Sequence, residues 1–189
     1  MEPGWPVELR GVTESLVTTR GPNGKWNVAA LGLHAGGPVT ARTFGRTRTW
    51  RNFHARGEGY VQFPTDPVDF VAGALSVYEV ADPILDSASA WARVKTKRVS
   101  EEARGGITVE TWELTPVESA EVAAAVPTIN RGFNAVIEAT VAASRLDVLE
   151  YDTETLAARL SYLADVVETC GGPREREALK RLRSLVSWE

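Results

Sequence analysis

Eleven consecutive residues, Arg42-Thr43-Phe44-Gly45-Arg46-Thr47-Arg48-Thr49-Trp50-Arg51-Asn52, hold four arginines, three threonines and an asparagine. A phosphate group is bound by this inventory: guanidinium forks, hydroxyl donors, and free backbone amides at a helix N-terminus. The run reads as the end of a strand, a break at Gly45, and a short helix entered near Thr47. It contains no fixed motif such as a Walker loop, so it is also compatible with a solvated basic strand and turn.

Other residue groups offer weaker chemistry. Trp26-Asn27-Val28-Ala29-Ala30-Leu31-Gly32 carries small side chains that would let a flat ligand approach the backbone; the same pattern suits a tightly packed barrel strand. His34 and His54 lack carboxylate partners at metal-ligand spacing, and no metal site is expected. Neither a nucleophile elbow nor a dinucleotide fingerprint occurs. Cys170 precedes Gly171 at a predicted helix C-terminus, where the dipole opposes a thiolate, and it is read as structural. Arg93, Lys95 and Lys97 alternate along a strand and share one solvated face. Asn130, Asn134 and Glu138 fall on one helical stripe beside an apolar arc of Ile129, Phe133, Val136, Ile137 and Val141. That stripe is either a solvated face or the wall of a ligand cavity. In the second case Glu138 can accept a proton or hydrogen bond, and Arg131 and Arg145 can supply anion contacts.

The elements that must position these residues change in character near residue 120. Before it, short β-rich runs are expected at Glu14–Arg20, Lys25–Leu33, Val39–Phe44, Gly59–Pro64, Trp91–Ser100 and Ile107–Pro116. Gly21-Pro22-Asn23-Gly24 and Arg104-Gly105-Gly106 are their turns. Asp66-Pro67 opens a helix, with Asp66 as the cap and Pro67 in the first helical position. After residue 120, three helices are expected: one through Asn130–Arg145, one starting at Asp152 or Thr153 and ending at Gly171-Gly172, and one starting at Pro173. Strands first and helices afterwards predict an α+β fold, with residues 1–120 forming a barrel and residues 121–189 a three-helix segment packed on it.

Composition narrows the function classes. Of the 189 residues, 43 % are hydrophobic and 24 % charged, which is ordinary for a folded domain. A net charge of −4 argues against bulk nucleic-acid binding, although the Arg42 to Arg56 patch leaves an RNA-binding module as a minor reading. The single cysteine excludes an intramolecular disulfide. No apolar run approaches the roughly 20 residues of a membrane span. Met1 to Arg10 has acidic and proline residues and no apolar core, so it does not read as a signal peptide, and a cytoplasmic location is expected.

Several segments, in this order, resemble the archaeal and bacterial family called domain of unknown function 447. They are Glu14 to Thr19, Lys25 to Gly32, Arg42-Thr43-Phe44 through Thr49 and Asn52, Asp66 to Phe70, and Asn130 to Thr140, ending at Arg145-Leu146. The family resembles flavin reductase-like split β-barrels, usually homodimers with FMN near the subunit interface. The resemblance implies that Asn27, Val28, Ala29 and Ala30 lie along the flavin ring. It implies that Arg42, Thr43, Thr47, Thr49 and Asn52 hold the ribityl phosphate. The family-like run around Arg131-Gly132-Phe133-Asn134 favours the cavity-wall alternative for the helical stripe, in which Glu138 is the candidate catalytic residue. Arg46 and Arg48 depart from the family pattern, which has smaller or polar residues there. The expected function is an FMN-dependent oxidoreductase acting on a small molecule, a pterin being one candidate, with a nicotinamide as reductant. The alternative is a non-catalytic flavin carrier or sensor. A homodimer is expected, with the six tryptophans as interface material and no nucleic-acid or membrane partner.

Overall fold

The computed structural model describes residues 4–123 and 130–188. They form two compact units: Met1–Thr65 with Tyr78–Ala125, and Asp66–Val77 with Val126–Glu189. The first is a split antiparallel β-barrel and the second is helical, so the α+β reading holds.

The barrel is built from β1 (Val12–Arg20), β2 (Trp26–His34), β3 (Thr40–Phe44), β4 (Glu58–Pro64), β6 (Ala88–Arg104) and β7 (Ile107–Glu121), with β5 (Tyr78–Val80) as an extra strand. The order β1-β4-β6-β7-β3-β2 closes through the β1–β2 pair, and every pairing is antiparallel. Closure covers most of the edges that an open sheet would expose. The β1–β2 hairpin turns at Gly24, whose φ of 81° only glycine adopts without strain. Along β2, Asn27, Ala29, Leu31 and Leu33 share one face by strand alternation, and Leu31 and Leu33 belong to the barrel core. That core also contains Val17, Ala41, Val61, Ala92, Val94, Trp112 and Leu114.

The barrel splits at β2. One edge of β2 pairs with β1 over its whole length. The other pairs with β5 at Trp26, Asn27 and Val28 and with β3 only at Leu33 and His34. Among the described residues, no strand pairs with Ala29 to Gly32 on that edge. A helix follows β3: α1 (Arg48–Arg56) buries Thr49, Asn52 and Phe53 at the i, i+3, i+4 spacing that puts them on one face. Phe53 is 1 % exposed in the barrel core and meets Trp112 edge to face, with ring centroids 5.3 Å apart. Burying such a side chain is worth about 1.5–3 kcal/mol, which anchors α1 to the barrel.

The helical unit holds α2 (Pro67–Leu75), α3 (Arg131–Ala143), α4 (Thr153–Cys170) and α5 (Pro173–Leu185). Asp66, Asn130 and Asp152 cap the first three, each side chain accepting a first-turn amide. Its core joins Val71 of α2 to Ala135, Val136, Ala139, Leu160, Val167, Leu179 and Leu182. Thus α2, which lies between barrel strands in the sequence, belongs with the later helices. The α3 stripe also differs from expectation. Alanines face the core, while Phe133, Ile137 and Val141 are half-buried, and Ile129 lies outside the described residues. The small stripe permits close approach: a Cβ on Gly132 would lie 2.4 Å from Gly171 Cα. No helix among the described residues is long and apolar enough to cross a membrane.

Candidate functional site

The site is organised by α1. Gly45 turns the chain out of β3 with φ of 67°, and the Thr47 hydroxyl then accepts the Trp50 amide at 3.1 Å to cap the helix. With Thr49, Asn52 and Phe53 turned inward, Arg48, Arg51 and Ala55 face one flank, and Trp50 and His54 face the other. Each flank borders a cavity.

The larger cavity, ≈ 430 Å³, runs between the β1–β2 turn, Asn27 of β2, the arginine flank of α1 and Glu79 of β5. Its cations are in different states. Arg48 Nη1 donates to Glu79 Oε1 at 2.6 Å, and Asn23 Nδ2 reaches the same carboxylate at 3.3 Å. Arg56 donates to the Arg20 carbonyl at 3.0 Å and the Gly21 carbonyl at 3.4 Å. Arg51 is exposed beside them, and among the described residues nothing engages its guanidinium. At the buried end, Asn27 Nδ2 donates to Thr49 Oγ1 at 3.4 Å, and Asn52 Nδ2 donates to Thr19 Oγ1 at 3.0 Å. The cleft therefore offers an uncommitted guanidinium and the carboxamides of Asn27 and Asn52; the unpaired stretch of β2, Ala29 to Gly32, begins two residues beyond Asn27 and does not line it. Unpaired backbone amides and carbonyls can pair with a flat heterocycle that carries its own donors and acceptors.

On the opposite flank, Glu110 of β7 points inward with only 3 % of its side chain exposed. His54 Nε2 lies 2.8 Å from Glu110 Oε2, and Arg98 Nη1 lies 3.5 Å from Oε1. Burial alone would push this carboxyl up. The hydrogen bonds from the side chains of Trp50 and His54, with the charges of His54 and Arg98, outweigh burial and hold it below its ordinary value. The His54 ring lies between Trp50 and Trp112, with centroids 4.4 and 4.9 Å away.

The residues singled out from the sequence divide accordingly. Asn27 and Asn52 line the cleft, and Thr49 is bonded to Asn27. Val28 and Ala30 lie on the face of β2 opposite Asn27 and Ala29, so the four side chains cannot present one surface to a ligand, although their backbone forms one edge. Arg42 and Thr43 also point to opposite faces: Arg42 is exposed, while Thr43 is buried and its hydroxyl accepts the Trp112 indole N–H at 2.9 Å. Neither lines the cleft. Thr47 serves as the helix cap. Glu138 is on α3 in the helical unit, where Arg159 Nη2 approaches its half-exposed carboxylate to 2.5 Å. That surface ion pair fits the solvated-face alternative. The sequence places Arg48 and Arg51 in the phosphate-type cluster and Arg56 at the end of its basic patch without naming any of the three as a ligand, although helical spacing from the Thr47 cap puts the first two on one flank. Nothing in the sequence singles out Glu79 or Glu110.

Comparison with known proteins adds the following. Residues 13–123 match the family model described as "Protein of unknown function (DUF447) N-terminal domain", and residues 130–184 match "Protein of unknown function (DUF447)". The chain is similar to the FMN-bound protein MM1853 from Methanosarcina mazei, at 23 % identity and TM-score 0.79, over 94 % of this chain and 96 % of that one. A more distant likeness is to an FMN-binding protein from Thermus thermophilus, with 17 % identity and TM-score 0.41 over 64 % of this chain and 77 % of that one. Flavoredoxin from Methanosarcina acetivorans is similar at 12 % identity and TM-score 0.41, over 64 % of this chain and 74 % of that one.

Proposed function

The chain belongs to the DUF447 family, and from that premise and the geometry of the α1 cleft we propose that it binds FMN there and acts as a flavin-dependent oxidoreductase. The observation that carries this reading is the unengaged Arg51 guanidinium in a ≈ 430 Å³ cleft that Asn27 and Asn52 also line. That volume is within the range of about 300–1,000 Å³ typical of cofactor-sized pockets. MM1853, an FMN-bound protein of the same family, supports the choice of cofactor.

The residues present fit such a ligand. Arg51, with Arg48 once it leaves Glu79, would hold the dianionic phosphate. Asn27, held by its bond to Thr49, would orient the ring. When bound, the flavin supplies the hydride chemistry, and the protein supplies orientation and hydrogen bonds. Flavin reduction by a nicotinamide needs no dedicated acid or base, so Glu138 has no part in this reading.

The test is to mix FMN-loaded protein anaerobically with NADH or NADPH and follow the visible absorbance of the bound flavin. Bleaching faster than that of free FMN is the expected result. Retained flavin that neither nucleotide bleaches would point to the carrier or sensor reading instead. We also expect a homodimer. Phe44, Val99 and Ile107 are 52 %, 47 % and 46 % exposed at the end of β3 and along the β6–β7 arm, and apolar exposure of this kind suits a second copy. Sedimentation of the FMN-loaded protein as a monomer would contradict that assembly.

A further inference from the structure

The cavity on the other flank of α1 has its own chemistry. It encloses ≈ 200 Å³ and shares no lining residue with the cleft. The titratable and charged groups that face it are Arg46 from the β3–α1 turn, His54 from α1, Arg98 and Glu101 from β6, and Glu110 from β7. Arg98 is committed to Glu101 at 2.8 Å and to Glu110 at 3.5 Å. His54 Nε2 is committed to Glu110. Two groups remain: the Arg46 guanidinium, whose one contact is with the Trp50 ring 5.9 Å away, and His54 Nδ1. Neither has a hydrogen-bonding or ionic partner among the described residues.

We propose that this cavity binds a small monocarboxylate, its two oxygens bridging the Arg46 guanidinium and His54 Nδ1, its body lying against the Trp50 ring. The charge balance sets the ligand class. Arg98 is spent on Glu101 and Glu110, which leaves the Arg46 guanidinium as the uncommitted charge of the lining, and a single anion matches it. The planar guanidinium fork suits a carboxylate. The volume corresponds to roughly seven waters at about 30 Å³ each, so there is room for a flat body beyond the carboxylate itself. Glu110 acts as the orienting partner: fixed and ionised in the barrel wall, it keeps a proton on Nε2 and turns Nδ1 to the cavity. A carboxylate on Nδ1 favours the imidazolium, so binding takes up a proton and weakens as pH rises. This inference stands apart from the flavin reading and does not need it.

Benzoate is the probe, followed by the fluorescence of Trp50 and the side-chain NMR signals of Trp50 and His54. Saturable binding is expected, with neutral benzamide at least about tenfold weaker and Arg46→Gln weakened about tenfold, the usual scale for one charge-assisted bond. Arg46 is exposed, so this variant keeps the fold. Affinity of the wild-type protein is expected to fall on raising the pH, and His54→Gln is expected to lose that dependence. Absence of saturable benzoate binding, equal binding of benzamide, or unchanged affinity in Arg46→Gln overturns the proposal. Inorganic phosphate binding as tightly as benzoate would overturn the carboxylate assignment.

Discussion

Replacing Arg51 by alanine should weaken FMN binding by about tenfold, and the reasoning comes from how the cleft cations are already spent. Arg48 is paired with Glu79 and Arg56 with two backbone carbonyls, so recruiting either to a phosphate breaks an existing contact. Arg51 breaks none. A hydrogen bond to a charged group contributes about 1.5–3 kcal/mol, and the exposed setting of Arg51 argues for the lower end. At about 1.4 kcal/mol per tenfold change, that is roughly one order of magnitude in Kd. Arg42→Ala, on the outer face of β3, should change Kd by less than about twofold. The assay is titration of flavin fluorescence at fixed ionic strength, because exposed charge pairs are screened by salt. Wild-type affinity for Arg51→Ala together with a large loss for Arg42→Ala would refute this assignment of the phosphate to the α1 flank and restore it to β3.

Three further outcomes follow from the packing and the charges. Gly132→Ala puts a Cβ 2.4 Å from Gly171 Cα and should destabilise the helical unit by about 3 kcal/mol or more, read from urea denaturation. Glu110 has a folded pKa below its unfolded one, so its stabilisation is present above the unfolded value and lost as pH falls through the folded one. Glu110→Gln should therefore lower the urea midpoint near neutral pH and flatten its decline in acid. Glu138→Gln removes a half-exposed ion pair, with an expected effect on stability below about 1 kcal/mol and no change in flavin reduction by nicotinamide.

Much of the fold is legible because local signals agree with one another. Asp66 is a helix cap in the sequence and in the structure, helices start at Asn130 and Asp152 where the spacing requires them, and the break at Gly45 leads into α1 capped by Thr47. Three-residue β5 is not legible, since its length gives alternation nothing to repeat. Nor is the grouping of α2 with later helices, which depends on long-range contacts of Val71. The site was half legible. The family resemblance implies Arg42 and Thr43 together as phosphate ligands, but adjacent strand residues face opposite ways, and the Trp112 indole claims Thr43. Glu110 is one of many strand glutamates until His54, 56 positions away, is folded onto it.

The most direct measurement is the binding isotherm of FMN to flavin-free protein, run beside riboflavin and the Arg51→Ala variant. A flavin held through its phosphate in the α1 cleft should bind wild-type protein saturably, bind it much more tightly as FMN than as riboflavin, and lose most of that preference in Arg51→Ala. Equal affinity for riboflavin and FMN, or no saturable flavin binding at all, would contradict the assignment of the cleft.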